Sequence, residues 1–293
     1  MIITKLISGL GNQLFQYAIG RLQSIKHNVP LKLDLSFYED QNLRKYSLHN
    51  FNIKAEIATH EEIDKLTKKY KTNSLSRYLY HKFEDYIPLK HISHYREKKW
   101  YVYDEKIFHI TSPCYIDGYW QNYRYFENLP PQILEDLTIK GVKNDYAKSL
   151  LHEILQNPLS VSLHIRRGDY ISDINTKNYM GVMPISYYID AISIIKSSIS
   201  NPTFYIFSDD IKWAKQNIIV EASLIFVEEN EDYEDLELMS ACKHQIIANS
   251  SFSWWAAYLN SDKNKIVVSP KNWVVSDNIN KYIEIQLPAW QKI

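Results

Sequence analysis

The chain has 293 residues, 34 Lys and Arg against 34 Asp and Glu, no net charge at neutral pH and 45% hydrophobic residues. That length buries one large core or two medium ones, and the balanced charge excludes a general nucleic-acid or anionic-membrane binder. Cys114 and Cys242 are the only cysteines. Far apart and in apolar contexts, they read as buried free thiols, which fits a reducing compartment. The start, Met1-Ile-Ile-Thr-Lys5, lacks the charged and apolar regions of a signal peptide, and no run of about 18 apolar residues is long enough to span a bilayer. The expected location is cytoplasmic, with any membrane association peripheral, at the inner membrane. The 23 tyrosines suit flat polar ligands, although most are expected to serve as half-buried packing.

In chain order, residues 2–7 read as a strand and Ser8-Gly9-Leu10-Gly11-Asn12-Gln13 as a turn. Phe15, Ala18, Ile19, Leu22 and Ile25 then recur at helical spacing, with Asn12 placed as the N-cap. Residues 29–33 form the next strand, so the chain opens as βαβ with a parallel sheet. Residues 36–110 are less regular. A helix over 59–68, with Thr59 and Glu62 as cap, stands before an aromatic-rich segment containing Tyr78, Tyr80, Phe83, Tyr86, Tyr95, Trp100, Tyr101 and Tyr103, which reads as an insertion carrying specificity loops. The segment Cys114 to Gln121 is a strand ending in a polar-aromatic turn. A mixed stretch to Lys143 and a helix over 145–156 follow. Asn157-Pro158 breaks that helix and divides the chain into lobes 1–157 and 158–293. In the second lobe, strands at 159–166, 203–208, 224–227, 244–249 and 265–269 alternate with helices at 184–198, 211–218, 232–242 and 251–260. This alternation describes a doubly wound, Rossmann-like α/β domain.

The polar residues gather at the strand ends of that second lobe. Along 159–166 a period of two places Leu159, Val161, Leu163 and Ile165 on one face and Ser160, Ser162, His164 and Arg166 on the other. Arg166 and Arg167 then stand where an open α/β sheet binds ligands, and paired guanidiniums match phosphate oxygens. Ser208-Asp209-Asp210 ends the next strand, and Asn249-Ser250-Ser251-Phe252-Ser253 opens a helix. Helix capping would explain either loop alone, but hydroxyls and helix N–H groups on the same sheet edge would also suit a phosphate. The turn Gly9 to Gln13 lacks the third glycine of a dinucleotide loop, Leu14 standing in its place, and it lacks the Lys-Ser/Thr of a Walker loop. The acidic run 228–237 reads as capping and solvating the helix 232–242. No Asp-x-Asp follows a strand and no His/Cys/Asp cluster has metal spacing, so no metal is expected.

Five elements taken together resemble glycosyltransferase family eleven, the α-1,2-fucosyltransferases. They are Ser8-Gly-Leu-Gly-Asn-Gln-Leu-Phe-Gln-Tyr-Ala-Ile-Gly-Arg21, Asp117-Gly-Tyr-Trp-Gln121, His164-Ile-Arg-Arg-Gly-Asp-Tyr170, Phe207-Ser-Asp-Asp210 and Asn249-Ser-Ser-Phe-Ser-Trp-Trp255. The resemblance implies a glycosyltransferase B fold of two Rossmann-like lobes, with the donor site in the C-terminal lobe. It implies an inverting, metal-free enzyme that moves L-fucose from GDP-β-L-fucose to the 2-hydroxyl of a terminal galactose, as in a surface polysaccharide. By the same resemblance Arg166 and Arg167 hold the donor diphosphate, His164 lies near the nucleoside, Ser208, Asp209 and Asp210 contact the base, and Ser250 to Ser253 contact the phosphates. Asn12, in the Gly11 to Gln13 turn, faces the reacting sugar. Asp117, Asp169 and His164 are the candidates for general base, with Asp169 alternatively bracing the Arg pair. A transferase using another nucleotide sugar and a non-catalytic carbohydrate-binding protein remain the alternatives.

Overall fold

A computed structural model describes residues 1–39, 44–67, 88–142 and 144–293. Within them the chain separates into two compact units, Met1–Thr138 and Ile139–Ile293. The division thus falls ahead of Asn157-Pro158. The helix Asp145–Gln156 belongs with the second unit: Asn144 N–H donates to Glu234 Oε1 at 2.8 Å and Tyr205 OH donates to Glu153 at 2.8 Å. Pro158 only separates that helix from the strand that follows. The helix 59–68 is realised as His60–Thr67, whereas Lys68, Tyr78, Tyr80, Phe83, Tyr86 and Lys143 lie outside the described residues.

The first unit holds strands β1 (Ile2–Lys5), β2 (Leu31–Asp34), β3 (Glu56–Ile57), β4 (His94–Arg96) and β5 (Cys114–Asp117). They pair in the order β3-β2-β1-β5-β4, parallel throughout. The opening βαβ unit is present, with the helix Leu10–His27 as its crossover. That helix lies so close to the sheet that a Cβ on Gly20 would collide with the Thr4 side chain. Leu14, Phe15, Tyr17, Ala18 and Ile19 are buried along it. Its Gln13 and Gln16 are buried too, because their amides satisfy backbone groups that no strand pairs. Gln16 Oε1 accepts from Ile7 N–H at 2.9 Å; Gln13 donates to Ser8 O and Lys45 O and accepts from Ser47 N–H.

The second unit holds β6 (Ser160–Ile165), β7 (Thr203–Ser208), β8 (Ser223–Phe226), β9 (His244–Ile246), β10 (Val267–Ser269) and β11 (Gln291–Lys292). Their order is β11-β10-β9-β6-β7-β8, again parallel. The unit's first strand is therefore central, and the winding reverses between β6 and β9, which is the doubly wound Rossmann arrangement. Val161, Leu163 and Ile165 join Phe204, Ile206, Ile246, Val268 and the Tyr188, Ile192 and Ile195 side chains of the helix Ile185–Ser198 in one core. Truncating such a residue to Ala typically costs about 2–5 kcal/mol. Val161, Leu163 and Ile165 share one face of β6 as the period of two requires, and the opposite face is no less buried, Ser160, Ser162 and His164 being as covered as the apolar residues. Helices cover both faces of a parallel sheet, so polar strand residues have no solvent side to occupy. Among the described residues no helix is long and apolar enough to cross a membrane.

Candidate functional site

At the carboxyl ends of β6 and β7 the two arginines are held by carboxylates. Arg166 Nη2 lies 2.6 Å from Asp169 Oδ1 and its Nη1 lies 2.9 Å from Asp209 Oδ2. Burial disfavours its charge, yet Asp209 and Asp169 raise its pKa above the ordinary value. Asp209 also accepts from Arg167 N–H at 2.8 Å. The Arg167 side chain bonds Asp210 through Nε at 3.1 Å and stacks on the Trp213 ring at 3.8 Å. Asp210 in turn caps the helix Ile211–Asn217 through Trp213 N–H, and Ser208 Oγ accepts from Asp210 N–H. Gly168 packs closely here: a Cβ would stand 2.7 Å from Asp209 Oδ2, so that carboxylate would have to shift. Asp169 is thus engaged with Arg166.

His164 is 4% exposed. Burial lowers its pKa to about 4, Asp209 partly opposing and Arg166 reinforcing the shift. It is a neutral imidazole at pH 7 and a poor general base there. Its Nδ1 is buried without a hydrogen-bond partner, and its ring centroid lies 5.5 Å from that of Phe252. After β9, Asn249 Nδ2 donates to Met180 O, Gly181 O and Trp273 O, so this amide ties three chain segments together. Ser250 caps the helix Ser251–Leu259 by accepting from Phe252 N–H, and Ser253 Oγ donates back to Ser250 O. Ser251 and Phe252 open that helix. The arginine pair and this helix N-terminus meet the same sheet edge at the winding reversal, a geometry suited to an anionic group.

In the first unit the matching reversal lies between β1 and β5. Asn12 is not the N-cap of its helix. Gly9 occupies that position, while Asn12 Oδ1 accepts from Gln121 Nε2 at 2.6 Å. Asp117 lies 3.7 Å from Lys5 Nζ and 3.6 Å from His94 Nε2. Burial works against its ionisation, but His94, Lys5 and Arg96 hold its pKa below the ordinary carboxylate value. A carboxylate so paired is a weak proton acceptor.

Two carboxyls escaped the sequence reading. Glu97, just after β4, accepts from Tyr119 N–H at 2.6 Å and Trp120 N–H at 3.0 Å through Oε2; burial raises its pKa to about 7, the two N–H groups opposing and Asp104 and Asp117 reinforcing. Asp235, in the first turn of Asp232–Ala241, is raised to about 7 by burial, with Asn230 opposing and Asp232 and Glu234 reinforcing. The acidic run did announce a capped helix, and Glu231 and Glu234 form its capping box; nothing in the run separates Asp235 from them. Glu97 belongs to no motif, and its partners lie 22 and 23 residues further along the chain. Among the described residues no three His, Cys, Asp or Glu side chains gather as metal ligands would.

Comparison with known proteins places the whole chain, residues 1–293, on the family described as glycosyl transferase family 11. An Escherichia coli alpha-1,2-colitosyltransferase is 34% identical over 96% of this chain and 95% of its own. The E. coli O-antigen biosynthesis glycosyltransferase WbnK is 35% identical over 97% and 98%. Mouse galactoside 2-alpha-L-fucosyltransferase Sec1 is 26% identical over 59% of this chain and 51% of its own. Among solved structures, the fucosyltransferase NodZ from Bradyrhizobium superposes with a TM-score of 0.51 at 12% identity, over 88% of this chain and 92% of its own. NodZ has also been crystallised with GDP. These likenesses establish the glycosyltransferase B fold.

Proposed function

Because this chain belongs to glycosyl transferase family 11, we propose that it moves an L-fucosyl group from GDP-β-L-fucose to the 2-hydroxyl of a terminal galactose, with inversion. The observation that carries this reading is the braced Arg166–Arg167 pair at the winding reversal of the second unit. As the bond from fucose C1 to the diphosphate oxygen breaks, negative charge grows on the departing GDP. The guanidiniums and the N-terminal N–H groups of Ser251–Leu259 are fixed in advance to receive it, and one lost donor of this type costs about 2.7–4 kcal/mol. The galactose 2-hydroxyl forms the new bond on the opposite face and loses its proton. In the first unit Asn12 and Gln121 are placed to orient that hydroxyl, and neither can act as a base. No metal is needed in this scheme, because the arginines supply the positive charge. The reaction belongs to assembly of a surface glycan such as O-antigen, in the cytoplasm.

The colitosyltransferase likeness favours a second reading, in which the donor is GDP-colitose. Colitose is fucose without its 3-hydroxyl. A site built to hydrogen-bond that hydroxyl discriminates strongly, whereas one that merely leaves room for it does not.

The test is a transfer assay with GDP-fucose, GDP-colitose and UDP-sugars over a panel of galactosides, the linkage read by NMR and the assay repeated with EDTA. An α-1,2-fucosyl product unaffected by EDTA is expected. Preference for GDP-colitose establishes the second reading, transfer only from UDP-sugars overturns both, and EDTA inhibition reversed by Mn²⁺ overturns the metal-free scheme.

A further inference from the structure

Glu97 lies at the carboxyl end of β4, beside β5, where Arg96 pairs with Asp117 and Glu97 N–H donates to Asp117 O. Its Oε2 gathers two successive N–H groups, those of Tyr119 and Trp120. Three features show how closely the turn after β5 is fitted to this carboxyl. Gly118 has no room for a Cβ, which would collide with Glu97 Cβ and stand 2.9 Å from Oε2. Trp120, a bulky residue, adopts φ +60°, a left-handed conformation that persists only where surroundings impose it. The indole of Trp120 is 1% exposed and stacks against Tyr95 at 6.2 Å between centroids, a second contact that fixes the turn. The next residue is Gln121, whose amide reaches Asn12.

We propose that Glu97 is a positioning residue for the acceptor sugar: by clamping the Tyr119 and Trp120 amides it holds the strained turn that carries Gln121 to Asn12. This rests on the reading that the first unit serves the acceptor of a glycosyl transfer. The geometry argues against Glu97 as the base itself. Oε2 is spent on two amides, and Oε1 is buried with no hydrogen-bond partner, so neither oxygen is presented to an incoming hydroxyl. The charged and titratable groups around it are Asp117 on β5, Asp104 ahead of the 3-10 turn Glu105–His109, and Tyr119 and Tyr125, while Lys5 and His94 are engaged with Asp117.

The experiment measures steady-state kinetics of wild type, Glu97→Ala, Glu97→Gln and Glu97→Asp with donor and acceptor varied separately, alongside GDP affinity by calorimetry. Glu97→Ala is expected to raise acceptor KM at least tenfold while GDP affinity stays within twofold. Glu97→Gln, which keeps an acceptor oxygen at the same reach, restores KM to within about threefold, and the shorter Glu97→Asp does not. An unchanged acceptor KM in Glu97→Ala overturns the proposal and leaves the transferase reading intact. A collapse of kcat in Glu97→Gln at unchanged KM overturns it in favour of a base. Equal weakening of donor and acceptor overturns it in favour of a general structural role. Absence of transfer by wild type with every pair overturns the transferase reading, and with it the acceptor role of the turn.

Discussion

Each unit has its own parallel sheet with a reversal of winding, yet the two furnish their strand ends with different chemistry. In the second unit the reversal is built from full charges: Arg166 and Arg167 are locked by Asp169, Asp209 and Asp210. In the first, charge is confined to Asp117 with Lys5 and His94, and beside it stand amides and a clamped backbone, with Gln121 on Asn12 and Glu97 on two N–H groups. Charges fixed beforehand suit a group whose own charge grows during reaction. Neutral amides suit hydroxyls, which need direction and little field. In the proposed reaction the second unit would stabilise charge and the first would aim the nucleophile.

The sharpest way to break this comparison is Arg166→Ala. It removes the guanidinium that pairs with both Asp169 and Asp209 and is expected to lower kcat by about 10²–10³-fold and to lower the denaturation midpoint of the protein. A loss below tenfold would mean that the pair is not the charge-bearing half. Arg167→Ala comes next. It leaves the Arg166 pairs in place and is expected to weaken GDP binding at least tenfold by calorimetry, with acceptor KM unaltered. Gln121→Leu should do the converse, raising acceptor KM about tenfold with GDP affinity unchanged; equal effects on both substrates would dissolve the division of labour.

A smaller effect concerns stability. Glu97 has a folded-state pKa raised to about 7, so the folded chain binds its proton more tightly than the unfolded chain. The resulting stabilisation is complete below the unfolded value near 4.5 and is lost as pH rises through about 7. Glu97→Gln should therefore unfold later than wild type at pH 8, by about 1–3 kcal/mol, and show little advantage at pH 5. Denaturation curves at the two pH values read this directly. Asp235→Asn follows the same sign in the second unit. The smallest change is expected from Lys148→Ala, which breaks an exposed pair with Asp145 and should leave the midpoint unmoved.

The second unit was legible in the sequence over most of its length and the first only in part: its opening βαβ unit, the helix His60–Thr67 and β5 were expected, whereas β3 and β4 were not. β6 alternates polar and apolar residues over six positions and β7 is apolar at four of six, and the period of such segments survives inspection. Five of the unit's strands and its longer helices lie within a few residues of their expected bounds, while the short helices Gly168–Ser172, Ile174–Met180 and Asp277–Asn280 and the strand β11 had no counterpart in the expected pattern. In the first unit β3 has two exposed residues, Glu56 and Ile57, and β4 is His94–Arg96. Strands this short and polar exist because neighbouring strands supply their hydrogen bonds, and no local pattern encodes that. The same holds for function. The Arg-Arg-Gly-Asp run is contiguous, so its braces are partly visible in the chain. The amide pair spans 109 residues, and the Glu97 clamp depends on a backbone conformation at Trp120 that nothing near Glu97 announces. Spacing gave Asn12 a capping role because polar residues at helix starts usually cap; the real cap, Gly9, has no side chain to be recognised by.

The stacking of Arg167 on Trp213 has an optical consequence. Of the chain's seven tryptophans, Trp120, Trp254, Trp255, Trp273 and Trp290 are all at most 5% exposed, sealed from events at the surface. Trp213 is half-exposed and carries a guanidinium 3.8 Å from its ring, close enough for the cation to shape its excited state. Under the proposed function a nucleotide that draws on Arg167 would change that environment at its source, so a GDP-dependent change in intrinsic emission is expected, and a Trp213→Phe variant, which retains the half-buried Trp100, supplies the blank.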